Sequence, residues 1–193
     1  MRILLVDHED SFVHNIAQGL AAQGADVRCM RSTSPVRLAL RYDPDGVVLS
    51  PGPGHPSDPR LTRLSRQLLS RWDAERPFLG VCLGHQLIGQ YYGATVERAK
   101  VPVHGEVRTV HHDAAGLFRG VPSPTSVARY HSLVVRSDSV PPHLTVSARD
   151  AEGVVMGLRH RSRPIESFQF HPESYLTPYG PRMLGNFLRE LRR

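Results

Sequence analysis

Four short apolar runs punctuate the first half of the chain: Ile3 to Val6, Ala25 to Met30, Asp45 to Ser50 and Phe78 to Val81. Between and after them stand segments with apolar residues at helical spacing, at Phe12 to Leu20, Pro35 to Leu40, Leu61 to Trp72 and His85 to Tyr92. Strands that alternate with helices in this way predict a parallel sheet covered on both faces. Ligands of such sheets bind beyond the carboxyl ends of the strands. The Pro51–Gly54 loop and Cys82 both sit at strand ends, so one crevice can hold them although they are far apart in sequence.

The second half changes character. Short strands are expected at Ala94 to Val96, Gly105 to Val110, Ser126 to Ala128, Leu133 to Arg136, Leu144 to Ala148 and Val154 to Leu158, joined by turn residues. They predict antiparallel additions and a mixed sheet. Pro164 to Phe170 reads as a further strand. Pro181 to Leu191 reads as a closing helix, with Met183, Leu184, Phe187, Leu188 and Leu191 apolar. The expected class is α/β, with an open, mostly parallel (mixed) sheet flanked by helices. At 193 residues the chain suits one domain, 1–193, with no repeat and no interdomain linker.

Gly80-Val81-Cys82-Leu83-Gly84 carries the chemistry. A turn of this form between a strand and a helix pushes its central side chain outward at a strained bend. The helix after it aims N–H groups and its positive end at that side chain. A cysteine there has its thiolate favoured over the ordinary thiol. Such a nucleophile needs a base, and the base needs an orienting group. His171-Pro172-Glu173 directly follows a strand, and Pro172 stiffens the backbone between the two side chains. Cys82, His171 and Glu173 are therefore the candidate nucleophile, general base and acid, and orienting carboxylate. Acyl transfer also needs donors for an oxyanion. The N–H of Leu83 is one candidate, and Gly52 or Gly54 of Ser50-Pro51-Gly52-Pro53-Gly54 offers a second.

Other chemistries are not supported. No Gly-Lys-Ser/Thr follows the Pro/Gly loop, so it is no phosphate-binding P-loop. Cys82 and His85 are too few for a zinc site, and His111-His112-Asp113 reads as a polar turn. Neither a metal nor a cofactor is expected. The net charge of +6 does not signal nucleic-acid binding. Its arginines are scattered, with short clusters only at 159–163 and 192–193, Lys100 is the only lysine, and no aromatic residues interleave with them. No apolar run reaches the roughly 20 residues of a membrane span, and Met1 to Asp7 reads as a first strand rather than a signal peptide. Two cysteines make no disulfide framework, which fits a reducing cytoplasm. Cys29 is expected to be a small buried hydrophobe.

Five strings occur in order: SPGPG at 50–54, GVCLGHQ at 80–86, RYHSLVV at 129–135, MGLRH at 156–160 and FQFHPES at 168–174. Together the chain resembles the class I (triad) glutamine amidotransferases, whose fold is flavodoxin-like, over Ile3 to Leu188. RYHSLVV and HPESYLTPYG favour the glutaminase subunits (component II) of anthranilate synthase and aminodeoxychorismate synthase. The resemblance implies that Cys82 attacks the side-chain amide of L-glutamine and that His171 and Glu173 assist. It implies Leu83 and Gly54 as oxyanion donors, and Gly52, Pro53, Gly54, Gln86 and the backbone of Ser132-Leu133 as glutamine-binding positions. Ammonia would pass to a separate chorismate-using synthase subunit (component I), with no cofactor in this chain. A stand-alone γ-glutamyl hydrolase or amidase and a non-catalytic regulatory subunit are the competing expectations. The chain departs from the family pattern at His8 and Glu9, where relatives usually carry Asn and then Tyr or Ile. It departs again at Val103, for a common methionine, and at Glu106, for a common lysine.

Overall fold

The structure is a computed structural model that describes residues 1–191. Arg192 and Arg193, with the last two positions of the expected 1–193 domain, lie outside the described residues. Strands β1 (Arg2–Asp7), β2 (Asp26–Arg31), β3 (Gly46–Leu49) and β4 (Phe78–Val81) alternate with helices α1 (Val13–Ala21), α2 (Val36–Tyr42), α3 (Pro59–Trp72) and α4 (Leu83–Tyr91). Then come β5 (Val96–His112), β6 (Thr125–Val135), β7 (Leu144–Asp150), β8 (Val155–His160), β9 (Ile165–Phe168) and helix α5 (Gly180–Glu190). They form one 9-stranded sheet in the order β2-β1-β3-β4-β9-β8-β7-β5-β6. Strands β2 through β9 in that order are parallel, and each later pairing is antiparallel. The α/β class and the mixed sheet are as the alternation predicts.

The apolar runs are continuous because both faces of each central strand are buried. Ile3, Leu5, Val48, Leu79 and Val81 pack with Ile16 and Leu20 of α1 and with Met183, Leu184 and Phe187 of α5. Leu4, Val6, Val47, Leu49 and Phe78 pack on the other side with Leu64, Leu68 and Trp72 of α3 and with Leu87 and Ile88 of α4. Helix α3 starts before Leu61 because the Asp58 side chain accepts from the Arg60 N–H at 2.9 Å and Pro59 opens the first turn.

Three expectations are corrected. Of the strand expected at 94–96 only Val96 is extended, and it opens one strand, β5, that also takes in 105–110, while those expected at 126–128 and 133–136 merge into β6, which ends at Val135. Gly105, at φ +72°, does not end a strand but sits in a register shift between His104 and Glu106, and Pro102 lies within another shift between Arg98 and Val103. These cues are bulges, which bend a hairpin without stopping it. Cys29 is exposed, because β2 is an edge strand that is covered on few sides. Helix α4 begins at Leu83 rather than His85, so Cys82 stands directly at its head.

The bent hairpin matters for the site. Although β6 is the far edge of the sheet, Ala128 bridges to His171, just beyond β9. The sheet thus curls back over the carboxyl ends of β4 and β9. Among the described residues no helix is long and apolar enough to cross a membrane.

Candidate active site

Cys82 is buried and takes φ +51° and ψ −99°, a conformation that non-glycine residues rarely adopt. Several bonds hold it there. Its N–H donates to the Phe168 carbonyl at 2.8 Å, its carbonyl accepts from the Gln86 N–H at 3.1 Å, and the Gly84 N–H donates to the Ser50 carbonyl at 3.2 Å. The glycines on either side let α4 lie against the sheet. A Cβ on Gly80 would stand 2.6 Å from the Gly84 carbonyl oxygen, and one on Gly84 would stand 2.2 Å from that of Leu49. The bend expected from the sequence is thus built by close backbone packing.

His171 and Glu173 are held as a pair. His171 Nδ1 lies 2.6 Å from Glu173 Oε1, and both side chains are almost fully buried. The His171 N–H donates to the Ala128 carbonyl at 3.0 Å, and the Thr177 hydroxyl donates to the His171 carbonyl at 2.8 Å. Burial alone would lower the pKa of His171. Its interactions with Cys82 and Glu173 outweigh burial and raise it to about 10. Nε2 of His171 is buried and completes no directional hydrogen bond, and neither does Glu173 Oε2. The imidazole therefore keeps one nitrogen on Glu173 and offers the other to chemistry at Cys82. The rings of Tyr130 and Phe12 stand edge-on to His171, with centroids 5.1 and 6.5 Å away.

The Ser50–Gly54 loop follows β3 beside the elbow. A Cβ on Gly52 would meet the Leu83 side chain at 2.9 Å and His8 Cβ at 2.6 Å, so Gly52 is wedged between them. Gly54, at φ +82°, is exposed and packs toward Leu61 of α3, and Pro53 is exposed beside it. His8 is fully buried beneath this loop. Its Nδ1 is 3.1 Å from the Ser50 carbonyl, and its Nε2 is 2.8 Å from the Ser65 hydroxyl on α3. A carbonyl only accepts, so Nδ1 carries the proton and Nε2 accepts from Ser65. Burial lowers the His8 pKa to about 4, which keeps it neutral.

Gln86 projects from the first turn of α4. Its Nε2 donates to the Leu133 carbonyl at 3.1 Å and to Gln169 Oε1 at 3.2 Å. Gln169 is fully buried, and its Nε2 reaches Cys82 Sγ at 3.8 Å. Leu133 is thus joined to the elbow, whereas Ser132 is exposed on β6. Sequence reasoning assigns no role to Gln169, Tyr130, Phe12 or His8. The first two lie within the family-like strings, which is the one signal that could have flagged them. Among the described residues no group of three or more histidine, cysteine or acidic side chains could hold a metal ion.

Known proteins resemble the chain over nearly its whole length. A family model described as glutamine amidotransferase class-I matches residues 4–191. The chain is 42% identical over 193 residues to an anthranilate synthase component 2 of Azospirillum brasilense, covering 99% of this chain and 97% of that protein. It is 44% identical to an aminodeoxychorismate synthase of Streptomyces pristinaespiralis, where the match covers 97% of this chain but only 26% of that protein. It likewise spans 24% of a multifunctional tryptophan biosynthesis protein of Phycomyces blakesleeanus, at 42% identity. Among solved structures, a candidate GMP synthase subunit from Thermoplasma acidophilum superposes with a TM-score of 0.89 at 28% identity, covering 100% of this chain and 94% of that one.

Proposed function

This chain belongs to the class I glutamine amidotransferases, and on that premise we propose that it hydrolyses the side-chain amide of glutamine and supplies the ammonia to a separate chorismate-using synthase subunit. The observation that carries the glutaminase reading is the strained Cys82 at the head of α4 beside the buried His171–Glu173 pair. The names of relatives that match along nearly their whole length support the synthase partner.

In this reading the Cys82 thiolate attacks the amide carbon. The carbonyl oxygen becomes an oxyanion that receives N–H groups from Leu83 and from the Gly52–Gly54 loop. The imidazolium of His171, held by Glu173, gives its proton to the departing nitrogen as the C–N bond breaks. Ammonia leaves and a γ-glutamyl thioester remains on Cys82. Neutral His171 then takes a proton from water as that water attacks the thioester. Glutamate departs and the thiolate is restored beside the His171 imidazolium. Gln86 and the Leu133 backbone hold the amino-acid end of the substrate together with the Pro/Gly loop. A reducing cytoplasm suits a free reactive thiol.

The test is glutamate release from glutamine by the chain combined with a chorismate-using synthase subunit. Cys82→Ala is expected to abolish release, since losing a triad nucleophile costs on the order of 10⁶ in kcat. Full activity in that variant would sink the glutaminase reading. An isolated chain as active as the complex would instead remove the dependence on a partner.

A further inference from the structure

Two buried charges have no part in the chemistry above. Arg129 on β6 and Asp150 at the end of β7 form an ion pair at 2.7 Å, with side chains only 5% and 2% exposed. Such a pair is a poor source of stability, because desolvation offsets most of its attraction and apolar replacement is often neutral. Asp150 is fixed by its other oxygen, Oδ1, which accepts from the N–H groups of Glu152 at 3.1 Å and Val154 at 2.8 Å. Arg129 is therefore anchored at one end. At the other, its Nε donates to His131 Nε2 at 3.0 Å.

A guanidinium has donors only. His131 must accept that bond on an unprotonated Nε2, so its single proton sits on Nδ1. From there it is donated to the Leu133 carbonyl at 3.1 Å. That carbonyl also accepts from Gln86, which leads through Gln169 to Cys82. Burial and the neighbouring Arg129 charge lower the His131 pKa to about 4 and keep the ring neutral.

We propose that Arg129, held by Asp150, is a positioning residue that fixes the His131 tautomer and thereby sets the Leu133 carbonyl and the Gln86 amide for glutamine. Without Arg129 the buried Nε2 loses its donor, and the Leu133 carbonyl alone is left to hold the proton on Nδ1. In the tautomer protonated on Nε2, a bare Nδ1 faces the carbonyl oxygen, lone pair against lone pair, and the Leu133 peptide turns away. The inference rests on the glutaminase reading.

The experiment uses Arg129→Lys and the double variant Arg129→Met/Asp150→Leu, each combined with the synthase subunit. The double variant leaves no unpaired charge and is expected to fold. The double variant should raise KM for glutamine about 10-fold, the equivalent of one hydrogen bond, with kcat within about twofold, and Arg129→Lys, which keeps a donor, should raise it less. Nitrogen NMR of His131 should show the Nδ1–H tautomer in the wild type and its loss in the double variant. A KM within twofold of wild type in the folded double variant, or an unchanged His131 tautomer there, overturns the inference. If instead the wild type neither releases glutamate nor is labelled on Cys82 by a glutamine-like diazoketone, the glutaminase reading itself falls and takes the inference with it.

Discussion

Replacing Gly84 by alanine tests whether the elbow depends on the close approach of α4 to β3. The new Cβ would stand 2.2 Å from the Leu49 carbonyl oxygen and 2.8 Å from both its carbonyl carbon and its Cβ. Carbon-to-oxygen contacts ordinarily begin near ~3.3 Å, so the head of α4 must retreat by roughly 1 Å. Backbone, not a flexible side chain, is the obstacle. The retreat also stretches the bond from the Gly84 N–H to the Ser50 carbonyl, already at 3.2 Å. Overpacking of this kind costs about 1–3 kcal/mol and a weakened hydrogen bond about 1 more. A loss near ~3 kcal/mol lowers Tm by roughly 6–12 °C in a domain of this size. Cys82 heads the same helix and moves with it, and a displacement of about 1 Å costs on the order of 10² in rate. Gly89→Ala is the control. It lies on the same helix, but its Cβ would meet only side-chain methyls, of Val135 at 3.0 Å and Leu158 at 3.3 Å. It also gains up to about 1 kcal/mol of helix propensity. Thermal unfolding and the rate of Cys82 labelling by a glutamine-like diazoketone measure both effects. Gly84→Ala matching Gly89→Ala in Tm and labelling rate would refute the reasoning.

Three further outcomes are expected. His8, His85 and His131 are buried and neutral, with pKa values lowered to about 4, 3 and 4, burial being the main cause each time. The unfolded chain binds more protons below pH ~6.5, so their contribution is present above that pH and is lost as pH falls through about 4. Acid thermal melts should show a steep decline there, and His8→Asn should make it shallower. His171 behaves oppositely: raised to about 10, it contributes stability below pH ~6.5 that is lost as pH rises through about 10. Glu173→Gln should flatten that alkaline decline and lower kcat on the order of 10²–10⁴, read from melts between pH ~6.5 and ~10 and from glutamate release. Cys29→Ser, on the exposed edge strand, should leave stability within about 0.5 kcal/mol and activity unchanged, with thiol titration falling to Cys82 alone.

The parallel half of the fold was legible because burial on both faces writes uninterrupted apolar runs, as at Leu4, Leu5 and Val6. The antiparallel half was not, because bulges and turns share one vocabulary. Pro102 and Gly105 look like strand ends in sequence, and only the pairing partner on β6 tells that they interrupt a ladder without breaking it. Cys29 failed for a related reason. A strand's own residues do not say whether it lies at the edge of the sheet, and β2 does.

The same division runs through the site. Cys82 was legible because a local pattern of glycines forces its bend, and His171 and Glu173 because a single proline between them sets their spacing. The groups that join them to substrate positions come from far along the chain. Gln86 meets the Leu133 carbonyl across 47 residues and Gln169 across 83, and His8 meets Ser50 across 42. No local spacing encodes such pairs. His8 is a case in point. In sequence it reads only as a departure from the pattern of the resembled family, with no visible link to the triad. In the fold it is a neutral donor and acceptor clamped between the Ser50 carbonyl and the Ser65 hydroxyl, directly beneath Gly52. An asparagine offers the same two functions on a shorter side chain. The imidazole therefore fills both hydrogen-bonding roles and carries more bulk beneath the loop. Its effect belongs with the loop that faces Leu83 rather than with the triad.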